Sequence, residues 1–475
     1  MKLIQLFMLF VLFSFIVSNS ALALEKSLSD LKDQYAVEIT VYNSNIGLVK
    51  DQRDVKLSKG LQELYFMDVA SSIIPSSVSV KSLGKKDGLN ILEQNYEYDL
   101  LSPQKLLNKY VGRDVKLFTK NPYTDKEEIL DARILSNNEG IPVFQIGKEI
   151  TFNHPGRIIF PEIPENLISK PTLLWLLDNM GDDRQKIEVR YLTNGINWRA
   201  SYVAVLNEAD DKMDLSGWVT IDNKSGAVYK NARLKLVAGD INRVEEMQPQ
   251  RTRELLAVAK ADAKPQFAEQ DFFEYHIYTL ERPTTVKNNQ IKQISLMDAQ
   301  NIPVRKEYIF QGAGYYYTSR YGEISPKQKV SVFVELINKK EHNLGIPLPQ
   351  GIIRVYKYDH DRSLQLVGEN TIDHTPKDEK VRLKLGDAFD VTASRKQMDW
   401  QKLSDKLYEA AFEVRVRNHK KEDIVVKIVE PIPGDWSVLQ SSHEFKKFDA
   451  HTLHFDIPIK KDKEEKLTYR VRMKF

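Results

Sequence analysis

Side chains that switch between apolar and polar at every second residue recur along most of this chain. They do so in Val37-Glu38-Ile39-Thr40-Val41-Tyr42, Val78-Ser79-Val80, Ile187-Glu188-Val189-Arg190-Tyr191 and Phe412-Glu413-Val414-Arg415-Val416. Successive side chains of a strand point to opposite faces, so the pattern describes sheets with one dry and one wet face. Turn formers separate the runs: Asn43-Ser44-Asn45, Asn137-Asn138-Glu139-Gly140, Asn194-Gly195 and Pro433-Gly434-Asp435. Many short strands with frequent turns imply sandwiches or barrels and argue against a parallel α/β sheet. The expected fold class is mainly β, with several antiparallel β-sandwich domains and few short helices.

Helix signals are sparse. In Ser102-Pro103-Gln104-Lys105-Leu106-Leu107-Asn108-Lys109-Tyr110, Ser takes a capping position and Pro the first turn, which predicts a short helix. Residues 251–270 are rich in Ala, Glu and Lys, contain Pro265, and read as a mobile or partly helical insertion. Residues 395–411 fit neither period. Three strands close on Asn: Trp218-Val219-Thr220-Ile221-Asp222-Asn223, Val332-Phe333-Val334-Glu335-Leu336-Ile337-Asn338 and Val414-Arg415-Val416-Arg417-Asn418. Asn closes a strand cheaply because its side chain bonds back to the local main chain. The echo fits related sandwich units, and equally the commonness of Asn in turns. The expected segments are a leader at 1–23, an N-terminal β-rich domain at 24–171, a first part of a second β-domain at 172–244, the insertion at 245–271 and a C-terminal β-sandwich region at 272–475.

The first 23 residues differ from the rest. Lys2 precedes an almost unbroken apolar run over 3–17, followed by Ser18-Asn19-Ser20 and the small-residue pattern Ala21-Leu22-Ala23. This is the three-part layout of a secretory signal, with cleavage expected after Ala23. The run is shorter than the roughly 20 apolar residues of a spanning helix. No later stretch is long and apolar enough, so no membrane span is expected once the leader is gone. The chain has no cysteine, which excludes disulfides, thiolate chemistry, zinc–thiolate sites and a Cys-linked lipid anchor. An exported chain without cysteine points to a bacterial periplasm or cell surface. With 69 basic and 66 acidic residues the net charge is +3, which makes no case for nucleic acid.

Several motifs stand in order from residue 187 to the C-terminus. They include Tyr191-Leu192-Thr193-Asn194-Gly195-Ile196-Asn197-Trp198-Arg199, Asn223-Lys224-Ser225-Gly226, Leu236-Val237-Ala238-Gly239-Asp240-Ile241-Asn242, Leu344-Gly345-Ile346-Pro347-Leu348-Pro349, Ile372-Asp373-His374-Thr375-Pro376 and Val416-Arg417-Asn418-His419-Lys420. Together they resemble the bacterial family called domain of unknown function 4139. The resemblance implies a β architecture and an envelope location, and it carries over no catalytic residue.

The sequence has no Gly-x-Ser-x-Gly elbow, His-Glu-x-x-His helix, Walker loop or dinucleotide loop. Asp359-His360-Asp361-Arg362-Ser363 places oxygens at alternate positions but has Leu364 and Asn370 where a calcium loop needs Gly and Glu. No metal or cofactor is expected. Asp373 and His374 are the residues to consider if the chain is an enzyme, since an imidazole beside a carboxylate can act as a base. The structural alternative is a turn in which His374 bonds to main chain. Tyr315, Tyr316, Tyr317 and Tyr321 form a tyrosine-rich stretch. Such rings suit a glycan or protein surface, or a core. The five tryptophans read as core or sheet residues. At the C-terminus, Leu467, Tyr469, Val471, Met473 and Phe475 alternate with polar residues, as in a sandwich strand or a strand of an outer-membrane barrel. The expected function is binding to envelope proteins or glycans, with an exported hydrolase acting on envelope polymer and a membrane barrel as alternatives.

Overall fold

A computed structural model describes residues 24–84, 88–97, 99–120, 125–164, 167–239, 266–273 and 275–475. The leader at 1–23 and the part of the expected insertion up to residue 265 lie outside the described residues. The rest of the insertion contributes the strand Phe267–Phe272, paired with Tyr275–Leu280.

The chain is mainly β, as the alternation predicts. Its period converts directly into burial: in Ile46–Lys56 and Lys463–Lys474 alternate side chains enter a core. Antiparallel pairing prevails. The parallel pairs include Gln34–Tyr42 with Tyr229–Ala238 and Ile196–Leu206 with Gly351–Tyr358. Such pairs join strands far apart in sequence, which a tight hairpin cannot do.

The first and largest core lies between sheets to which both halves of the chain contribute. Arg184–Asn194 pairs along its whole length with Ile46–Lys56, from Arg184 opposite Lys56 to Asn194 opposite Ile46. Thr172–Asn179 lies between Gly60–Met67 and Leu89–Glu97. These pairings cross the boundary expected after residue 171. Buried Val49, Phe66, Trp175, Tyr191, Trp198 and Leu234 meet in one cluster. At Asn194-Gly195 the chain passes from one sheet to another. Gly195 has φ +77°, and a Cβ there would lie 2.8 Å from the Lys224 carbonyl oxygen, so only glycine fits this corner.

A small satellite is built around the helix Pro103–Lys109. The Ser102 hydroxyl accepts from the Lys105 N–H at 3.2 Å, the predicted cap. Five short strands between Asp114 and Ile159 form its sheet, over a core of Tyr110, Val115, Leu117, Ile134 and Phe144.

The second sandwich is joined to the first by continuous strands. Gln290–Gln311 places Ile294 and Ile302 in the first core and Tyr308 and Phe310 in the second. Glu323–Ile337 and Lys380–Ser404 likewise supply both cores. Residues 395–411, which fit neither period, are the two arms of a hairpin between Lys380–Ser404 and Leu407–Asn418. Bulges between Gln397 and Asp399 and between Lys402 and Ser404 break the alternation there. The C-terminal strand Lys463–Lys474 turns Leu467, Tyr469, Val471 and Met473 inward, each at most 2% exposed. Their apolar face is spent in a packed interior.

Candidate functional site

Where Lys380–Ser404 passes from the first core to the second, its pairing with Glu323–Ile337 breaks. Ser331 lies opposite Asp387 and Lys329 opposite Thr392. Four residues, 388–391, therefore face the single residue Val330. A bulge of this size re-aims side chains. Ala388 and Val391 turn inward, while Phe389 is thrown out and is 91% exposed. Leaving a phenylalanine in water forgoes roughly 2 kcal/mol of burial. The bulge is closed by a hydrogen bond from the His419 N–H to the Asp390 carbonyl, 2.8 Å.

Phe389 stands at the rim of two clefts. The first, of about 340 Å³, lies at the junction of the sandwiches between Leu206, Tyr308, Val332, Val367 and Leu385. At its edge Asp210 accepts from Lys306 at 2.7 Å and from Lys357 at 2.5 Å. Burial alone would raise the Asp210 carboxyl, but these two ammonium groups outweigh it and hold it below the usual range. Lys420 also lines this cleft, 6.0 Å from the Tyr308 ring.

The second cleft, of about 390 Å³, lies on the outer face of the second sandwich. Its floor follows from strand register. Lys329, Thr392 and Arg417 stand opposite one another on three neighbouring strands, and Ser394 stands opposite Arg415. Residues opposite each other share a face, so these five side chains emerge together. Lys327 completes the cationic lining, His419 also borders the cleft, and Asp390 is the acidic residue in it. Arg415 pairs with Glu413 at 2.7 Å, and both Arg415 and Arg417 reach Glu464. Lys327 and Lys329 are exposed and have no ion-pair partner among the described residues.

The tyrosines singled out in the sequence separate into two environments. Tyr317 is fully buried, its hydroxyl donating to Glu430 at 2.9 Å and lying 2.9 Å from that of Tyr469. Glu430 in turn holds Arg395 at 2.5 Å, both side chains 0% exposed. Burial would lower the Arg395 guanidinium, but the Glu430 charge raises it further above its ordinary value. Tyr316 is also buried, while Tyr315 and Tyr321 remain at the surface, their rings 6.1 Å apart. Only these two of the four offer open contact area.

Asp373 is exposed, and His374 is held by its surroundings. His374 Nδ1 accepts from the Gln350 N–H at 3.1 Å, and Nε2 lies 3.2 Å from the Asn43 amide nitrogen. The Thr375 hydroxyl closes the local turn on the Asp373 carbonyl at 2.8 Å. Asp359 is likewise engaged in its own turn, accepting from the N–H groups of Asp361 and Ser363.

Sequence reasoning missed Phe389. By alternation it stands in phase with Leu383, Val391 and Ala393, all buried, and so reads as core. The bulge that inverts it leaves no mark in the period.

A family model for a domain of unknown function (DUF4139) matches residues 187–475. The chain belongs to this family. Phe389 and the whole cationic floor lie within the matched span of this DUF4139 chain. So do all four tyrosines, Asp373 and His374. Comparison with curated proteins gives no match.

Proposed function

We propose that this DUF4139 protein is exported to the bacterial envelope and works there by binding a glycan or protein through the face around Phe389. The observation that carries the reading is the bulge at 388–391, which exposes a large ring between two clefts at a junction of two cores. Ligand sites favour such junctions, with apolar surface and a few convergent polar groups. The leader pattern over 2–23 supports export. No helix among the described residues is long and apolar enough to cross a membrane. The hydrogen bond that His374 Nδ1 accepts from the Gln350 N–H ties the imidazole to the neighbouring main chain, which supports binding over hydrolysis.

The test is retention of solubilised bacterial envelope polysaccharide and protein fractions on the immobilised mature chain, compared with Phe389→Ser. Phe389 is exposed, so the variant is expected to keep its melting temperature. The reading expects retention to drop about tenfold or more, as for a central aromatic contact. Equal retention by both proteins would remove this face from consideration.

A further inference from the structure

We infer that the cleft floored by Thr392 and Ser394 takes an acidic polysaccharide, with sugar carboxylates held by Lys327, Lys329, Arg415 and Arg417. The inference rests on the binding reading above and names the ligand class. Three features of the floor carry it.

The first is its charge. Four permanent cations line the cleft against one carboxylate, Asp390. The arginines share their charge with Glu413 and Glu464. The exposed Lys327 and Lys329, without ion-pair partners among the described residues, supply the unspent positive potential of the cleft. Arginine forks match carboxylates in two-pronged geometry.

The second is spacing. Arg415 and Arg417 are two residues apart on one strand, roughly 7 Å, and Lys329 and Arg417 are two strands apart, roughly 10 Å. A single strand of DNA presents a charge roughly every 3.4 Å along its axis, and the duplex one roughly every 1.7 Å. A floor this sparse, partly neutralised by its own carboxylates, matches a chain that carries one charge per sugar or fewer.

The third is the company the cations keep. The Thr392 and Ser394 hydroxyls lie between them as partners for sugar hydroxyls, and one ring, Phe389, stands at the rim. Single-stranded nucleic acid is held by a succession of stacking aromatics. A lone ring beside hydroxyls fits the apolar face of a pyranose instead.

The probe is polygalacturonate, with its fully methyl-esterified form as the neutral control, titrated into the mature chain by calorimetry. Polygalacturonate is expected to bind, and the ester to bind about tenfold more weakly or not at all, because ionic partners fix specificity. The double substitution Lys327→Glu with Lys329→Glu, at exposed positions, is expected to abolish binding while far-UV dichroism and melting temperature stay put. Raising salt from about 50 to 200 mM should weaken binding of the acid form. Equal binding of acid and ester, sensitive to Phe389→Ser but not to the lysine changes, would overturn the acidic ligand and leave the binding face standing. Binding of neither polymer, with envelope fractions retained equally by wild type and Phe389→Ser, would overturn both. Tighter binding to duplex DNA, or to vesicles containing phosphatidylglycerol, would assign the cleft to another polyanion and overturn the inference.

Discussion

At the scale of single residues, buried polar side chains secure the fold at strand ends and between sheets. Asn223, Asn338 and Asn418 end their strands at most 1% exposed. Each donates its amide to main-chain carbonyls: Asn223 to Ala227 and Lys287, Asn338 to Ile346 and Pro376, Asn418 to Glu422 and Lys460. Each also accepts from a nearby N–H, those of Ser225, Gly345 and Lys420. The sequence echo is therefore one device used three times: a buried amide tying a strand end to a neighbouring loop. Asn418→Ala strands several main-chain groups at once and is expected to cost about 1–3 kcal/mol in urea unfolding. A loss within error would mean water replaces the amide. The Arg395–Glu430 pair is a sharper case. Glu430→Gln leaves a guanidinium buried without its counter-charge and should cost about 3–5 kcal/mol, while Arg395→Met with Glu430→Leu should cost much less. Equal losses for the two variants would show that the pair has no special coupling. His454 carries a pH signature. Burial first, then the charge of Lys427, hold its imidazole below the usual 6.5. The unfolded chain thus takes up this proton more readily than the folded one. Stability is lost as pH falls below 6.5 toward the depressed folded value. His454→Gln should flatten the fall in melting temperature across this window, and an unchanged slope would assign the acid sensitivity to other groups.

At the scale of elements, regular strands were legible in the sequence and irregular ones were not. The helix Pro103–Lys109 was marked by Ser102 and Pro103 because capping is a local interaction, written in adjacent residues. Ser102→Ala is expected to cost about 1 kcal/mol, read as a lowered melting temperature. The strands around residues 395–411 were illegible because bulges shift the phase of the alternation, and phase is all that a period can report. The same blindness hid the candidate site. Phe389 reads as a core position and becomes a surface ring only because four residues oppose one. The tyrosine stretch was legible as an aromatic cluster suited to a surface or to a core, but the burial of Tyr317 depends on Glu430 and Tyr469, more than 100 residues away in the chain.

At the scale of the whole molecule, pairing between distant segments decides which pieces stand alone. The DUF4139 match begins at Ile187, inside a strand whose full-length partner is Ile46–Lys56. The strand Tyr229–Ala238 also takes Gln34–Tyr42 as its parallel neighbour. No local signal announces such pairings, so strand and turn signals alone could suggest a boundary near residue 171. A chain cut to residues 187–475 would expose the edges of two strands and lose one wall of the first core. It is expected to keep the near-ultraviolet signal of the second core but to lose one cooperative transition by calorimetry. Full cooperativity in the fragment would show that the first core closes without its N-terminal strands.

The central claim is that the molecule binds through the face where its long strand breaks register. Hydrogen–deuterium exchange of residues 24–475, with and without a retained envelope fraction, tests it most directly. The account predicts slowed exchange confined to residues 387–394 and the facing stretch 326–331. Protection centred on another sheet, or on the turn around His374, with none at the bulge, would contradict it.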